Sequence, residues 1–151
     1  MEYLQITKGR EKQAMAREVL EALPDWFGME ESREQYIRES EGQLFFAARE
    51  GNTAVGFLCL KETGRATVEL AVMGVRKEYH RRGIGRELFS MARAAARERG
   101  YHFMQVKTVK MGCYPDYDRT NLFYQSLGFE EMEVLPLWDE HNPCQVYIMA
   151  L

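Results

Sequence analysis

Apolar positions change their period several times along the chain. Between residues 11 and 23, Met15, Val19, Leu20 and Leu23 recur every three or four residues, the spacing of a helix face, until Pro24 stops it. A short strand is expected before it, over residues 3–6. A second, more polar helix is predicted over 30–40, where Glu30, Glu31 and Ser32 suit a helix start. Three β-rich runs follow at 44–49, 54–60 and 66–75. They are joined by Glu50-Gly51-Asn52-Thr53 and Glu62-Thr63-Gly64-Arg65, which have the composition of hairpin turns.

The helical period returns over 85–99, where Leu88, Met91, Ala92 and Ala95 define one face and Gly100 supplies the stop. A strand at 103–109, a helix at 118–127 ended by Gly128, and a closing strand pair at 129–135 and 145–150 complete the series. The order β-β-β-α-β-α-β after the first helices predicts an α/β fold. Residues 110–117, with Gly112, Pro115 and Asp116, are expected to form an irregular loop of the kind that borders ligand sites. No repeat or change of composition marks a boundary, so residues 1–151 are expected to form one domain.

Composition narrows the function. With 46% hydrophobic and 28% charged residues the chain is an ordinary globular one. A net charge of −3 lacks the positive field of a nucleic-acid binder. Cys59, Cys113 and Cys144 are too scattered for a disulfide framework or a zinc site, and His80, His102 and His141 lack metal-binding spacing, so no metal is expected. No run approaches the roughly 18 apolar residues of a membrane span. Residues 1–13 are charged, unlike a signal peptide, and a cytoplasmic location is expected.

One segment is out of character. Residues 75–86, Val-Arg-Lys-Glu-Tyr-His-Arg-Arg-Gly-Ile-Gly-Arg, hold five of the chain's 20 Lys and Arg residues against one acid, Glu78. A strand here runs through a basic turn into a glycine-opened helix. Free N–H groups at such a helix start point at an anion, and Gly83 and Gly85 allow close backbone approach. A solvated basic loop is the plain alternative. There is no third glycine for a dinucleotide fingerprint and no Gly-Lys-Ser/Thr for a P-loop, so the anion belongs to another ligand class.

Val75-x-x-Glu78-Tyr79 followed by Arg81-Arg82-Gly83-Ile84-Gly85-Arg86 resembles the acetyl-coenzyme A signature of GNAT acyltransferases, commonly V-x-P-E-Y-R-x-x-G-x-G. Downstream, Leu122-Phe-Tyr-Gln-Ser-Leu-Gly-Phe129 is similar to the second family motif, F-Y-x-x-x-G-F. Departures are His80 for the usual Arg or Gln, Lys77 for Pro, and Tyr117 for Asn seven residues before the motif tyrosine. The resemblance implies a central, mixed, mostly antiparallel twisted sheet of six or seven strands flanked by about four helices. It implies acetyl-CoA as cosubstrate, with the pyrophosphate on Arg81, Arg82, Gly83, Ile84, Gly85 and Arg86, and the pantetheine arm along Met73, Gly74 and Val75.

The same resemblance implies transfer to a primary amine on a small molecule or peptide. Glu69, six residues before Val75, stands where family members such as histone acetyltransferases place a base; a solvent-facing strand residue is the other reading. Tyr124 stands at the tyrosine that protonates the leaving thiolate; an aromatic packing the helix onto the sheet is the other reading. Trp26 and Phe27 fall where this family often shapes its acceptor pocket, and Tyr114 in the irregular loop is a further acceptor-binding candidate. The sequence is compatible with a homodimer. A coenzyme A-binding regulatory domain without turnover is the second hypothesis, and a nucleic-acid module using the basic patch a third, which the acidic remainder opposes.

Overall fold

Strand β1 (Glu2–Ile6) opens the chain and leads into helix α1 (Gly9–Glu21). The computed structural model describes residues 1–151. Pro24 ends the helical run by starting a one-turn helix, α2 (Pro24–Phe27), and α3 (Glu30–Ser40) follows with its two acids in the first turn. Strands β2 (Leu44–Glu50), β3 (Thr53–Gly64) and β4 (Thr67–Val75) form an antiparallel meander. A 3-10 turn, Lys77–Tyr79, leads to α4 (Ile84–Glu98), then β5 (Phe103–Val109), α5 (Pro115–Leu127), β6 (Glu130–Asp139) and β7 (Asn142–Ala150).

The seven strands make one sheet in the order β1-β2-β3-β4-β5-β7-β6. Every neighbouring pair is antiparallel except β4 and β5, which are parallel because α4 crosses over between them. That parallel ladder is short: Thr67, Val68 and Glu69 pair with Phe103, Met104 and Gln105, and beyond Glu69 the strands diverge. A fork therefore opens in the middle of the sheet.

Alternation along the strands distributes the core over both faces. Phe46 and Leu58 pack on one side with Leu88, Ala92 and Ala96 of α4 and with Tyr124 and Leu127 of α5. Their neighbours Phe45 and Phe57 point the other way and pack on Val19 and Leu20 of α1 and Ile37 of α3. Both cores bury large side chains completely, so truncating Leu58 or Leu88 to alanine would cost about 2–5 kcal/mol. Strand β6 is the exception. It lies at the sheet edge and is exposed along nearly its whole length, which suits its acids Glu130, Glu131 and Glu133.

Three details differ from the sequence reading. There are five α-helices because the Pro24–Phe27 segment closes a turn of its own. Helix α5 begins at Pro115, shortening the expected loop, since proline at the first helical position lacks only an N–H that would be unpaired anyway. The closing strands extend to Asp139 and start again at Asn142, leaving only Glu140 and His141 as the turn. No helix is long and apolar enough to cross a membrane.

Candidate functional site

The basic segment becomes a concave backbone surface at the end of β4. Arg81 (φ 64°) and Gly83 (φ 77°) both adopt left-handed conformations, which turn the chain sharply into α4. No side chain caps this helix, and its first bond runs from the Glu87 N–H to the Gly83 carbonyl. The N–H groups of Ile84, Gly85 and Arg86 are thus left without an intrahelical acceptor and aim at any anion beyond the helix end. A Cβ on Gly83 would meet nothing within 4 Å, so the space over the turn is open. A Cβ on Gly85 would lie 2.8 Å from Met73 Cε and 3.1 Å from Phe123 Cζ, so glycine lets the first turn of α4 rest on β4 and α5.

Side chains brace this turn from outside. Arg86 donates to Ser126 Oγ at 3.0 Å, and the Arg82 guanidinium lies 5.0 Å from the centre of the Tyr79 ring. Tyr79 donates to Glu50 Oε2 at 2.6 Å, and that bond holds its hydroxyl proton above the usual tyrosine range. His80 Nε2 is 2.7 Å from the Val75 carbonyl, which only accepts, so the proton sits on Nε2. The Trp26 ring meets His80 edge-on at 5.7 Å, while Asp25 lies 3.6 Å from Lys77. Helix α2 is therefore fastened to the basic turn. Phe27 packs edge-on against Tyr36 of α3 at 5.9 Å.

Met73, Gly74 and Val75 lie at the open end of the fork, paired to β3 on one side and to no strand on the other. Tyr124 of α5 belongs to the core cluster on which Met73 and Val75 also pack. Its ring is buried, with Phe123, Phe129 and Tyr147 centred 5.9, 5.9 and 6.2 Å away. Its hydroxyl makes no hydrogen bond within the protein and keeps a small contact with solvent. Burial first, then Tyr36 and Tyr117, push that hydroxyl well above the ordinary tyrosine value.

A buried polar network fixes α5 to the fork. Asn121 donates through Nδ2 to the Val109 carbonyl at 2.8 Å and to the Tyr117 carbonyl at 2.7 Å. Its Oδ1 accepts from the Tyr147 hydroxyl at 2.6 Å, and Gln125 Nε2 donates to that hydroxyl at 3.0 Å. Asn121 went unnoticed in the sequence, though a polar residue at helical spacing three positions before Tyr124 was the available signal. Tyr114, the residue before the first turn of α5, is exposed and packs on Tyr117 at 5.9 Å.

Glu69 lies at the fork apex, the last β4 residue paired to β5. It is buried, and its Oε1 accepts from Lys107 Nζ at 2.8 Å. The charge of Glu69 is one of the causes that raise the Tyr36 pKa, after burial, Tyr117 and Glu39. The cysteines are unpaired: Cys113 is exposed, while Cys59 and Cys144 are buried. No group of three or more His, Cys, Asp or Glu residues is placed to hold a metal. A cavity of about 510 Å3 lies among Lys12, Gln43, Leu60, Val68, Arg99 and Tyr101, and none of the candidate site residues lines it.

Residues 12–129 match the family model described as the acetyltransferase (GNAT) family. No curated protein matches the chain. Among solved structures, a GNAT-family protein from Desulfovibrio desulfuricans superposes with a TM-score of 0.87 at 18% identity, covering 99% of this chain and 98% of its own. An aminoglycoside 6'-N-acetyltransferase complexed with coenzyme A gives 0.79 at 17% identity, covering 99% and 97%. A GNAT family acetyltransferase from Elizabethkingia anophelis with acetyl-CoA bound gives 0.65 at 18% identity, covering 82% and 84%.

Proposed function

The chain belongs to the GNAT acetyltransferase family, and from that premise we propose that it moves an acetyl group from acetyl-coenzyme A directly to a primary amine. The observation that carries the proposal is the uncapped start of α4 set beside the unpaired edge of β4. Free N–H groups there suit a diphosphate, and an extended amide-bearing arm suits a strand edge lacking a partner. Coenzyme A joins those two chemistries in one molecule, and the thioester it carries supplies the activated acyl group. Arg81, Arg82 and Arg86 surround the turn with positive charge.

In this proposal each residue has one task. The backbone of Met73, Gly74 and Val75 aligns the arm, and an N–H near Met73 polarises the thioester carbonyl. Glu69 takes the proton of the attacking amine, directly or through water. Tyr124 delivers a proton to the departing thiolate. Its raised pKa keeps the proton in place at neutral pH until a thiolate departs beside it. Trp26 and Phe27 border the acceptor side, with Tyr114 at its rim. Residues 1–151 act as one domain, in a reducing compartment to which three unpaired cysteines are suited.

The test is thiol release from acetyl-CoA against polyamines, aminoglycosides, amino acids and peptides, with Tyr124→Phe beside the wild type. Release with one acceptor class, reduced in the variant, supports direct transfer and identifies the acceptor. Calorimetric binding of acetyl-CoA with no release across the panel would favour a coenzyme-sensing regulatory domain.

A further inference from the structure

The Glu69–Lys107 pair occupies an unusual place. Glu69 pairs with Gln105 in the last rung of the parallel ladder, and Lys107 lies two residues further along β5 on the same face. Its ammonium therefore reaches back diagonally across the first unpaired step of the fork. Both side chains are largely withdrawn from water, Lys107 being 24% exposed and Glu69 11%. Only Oε1 of Glu69 is engaged; Oε2 takes no hydrogen bond from the protein and keeps contact with solvent.

We propose that Lys107 is a positioning residue for Glu69, holding Oε1 so that Oε2 alone presents itself to the acceptor amine. The proposal rests on Glu69 being the base. In the transfer step the amine nitrogen forms a bond to the acetyl carbon as the carbon–sulfur bond breaks. The amine proton passes to Oε2 of Glu69, and the Tyr124 hydroxyl proton passes to the departing sulfur. A free glutamate side chain at a fork apex could turn either oxygen inward or swing to solvent. A cation bonded to one oxygen removes that freedom before substrate arrives, which is where positioning gains rate.

The other groups facing Glu69 do not do this. Lys61, its cross-strand partner on β3, is exposed and makes no ion pair with it, and Gln105 on β5 donates to Thr63. The charge of Glu69 raises the pKa of Tyr36 on α3 and of Cys144 on β7, with a hydrogen bond to neither. Tyr117 of α5 acts on Tyr36 in the same way. Lys107 is the single cation bonded to the carboxylate.

A plain structural strut closing the fork is the competing explanation, and kinetics separate the two. Wild type, Lys107→Met, Lys107→Arg and Glu69→Gln are compared with the amine from the panel above that gives the greatest thiol release. The measurements are kcat, the KM for the amine, the Kd for acetyl-CoA and the melting temperature. Positioning predicts that Lys107→Met lowers kcat by about tenfold or more with coenzyme affinity within about twofold, and that Lys107→Arg restores most of the rate. A lowered melting temperature with kcat unchanged, while Glu69→Gln is slow, would reduce Lys107 to a strut and leave the base intact. If Glu69→Gln turns over at the wild-type rate, the base assignment and this proposal both fall. Should Lys107→Met not fold, Lys107→Gln takes its place under the same criteria.

Discussion

The Tyr147 hydroxyl donates to Asn121 Oδ1 at 2.6 Å, joining β7 to α5 in the interior of the protein. Asn121 donates through Nδ2 to the carbonyls of Val109 and Tyr117, so one amide ties the helix that carries Tyr124 to the far end of β5. Asn121→Ala removes three bonds at once and leaves buried polar groups unpaired. A loss of about 1–3 kcal/mol is expected, read as a fall of several degrees in the melting temperature. Retention of the wild-type melting temperature would show that α5 is held by apolar packing alone.

Tyr124→Phe keeps the ring among Phe123, Phe129 and Tyr147 and removes only an oxygen with no protein partner. Stability and the Kd for acetyl-CoA should stay close to wild type, while kcat falls on the order of 10²-fold. Because burial raises the hydroxyl's pKa, the protonated form persists as pH rises, and loss of rate from this group is expected only above the ordinary tyrosine value near about 10. A wild-type alkaline limb below pH 9 that vanishes in the variant would contradict that sign.

Gly83→Ala and Gly85→Ala should both weaken acetyl-CoA binding, by different routes. At Gly83 space is open and the φ of 77° is the obstacle, so the turn must strain by roughly 1–2 kcal/mol or change shape. At Gly85 the backbone suits any residue, but the new methyl meets Met73 and Phe123 and lifts α4 from β4. Calorimetric Kd values separate the routes when combined with Met73→Ala, which should rescue Gly85→Ala in part and leave Gly83→Ala unchanged.

Trp26 offers an optical signal. It lies edge-on to His80, whose ring is bonded to the Val75 carbonyl, so whatever settles on the basic turn disturbs the tryptophan. In a Trp138→Phe background, titration with acetyl-CoA should change emission saturably, and His80→Ala should shrink the change. A flat titration despite calorimetric binding would show that α2 does not follow the turn.

Much of this was readable in the chain. The 30–40 helix, with acids in its first turn, and the face of α4 carried local signals that tertiary packing did not override. The start of α5 was missed because Gly112, Pro115 and Asp116 have loop composition, although proline and acids also open helices. The ends of the β6–β7 hairpin were missed because an edge strand exposed on both sides has no apolar alternation to read. Lys107 could not be matched to Glu69 from sequence, since their meeting depends on a parallel register fixed by α4 thirty-eight positions apart. The fork itself has no local signature at all.

That fork gives the middle of the sheet the behaviour of a shoreline. Backbone amides between residues 71 and 75 sit between β3 and β5 in strand order, yet some of them face no strand. In amide hydrogen exchange they should trade protons at rates typical of loops, while those of Leu58 and Met104 in neighbouring strands remain slow. A sheet that is elsewhere sealed by its own hydrogen bonds would thus exchange with solvent first at its centre.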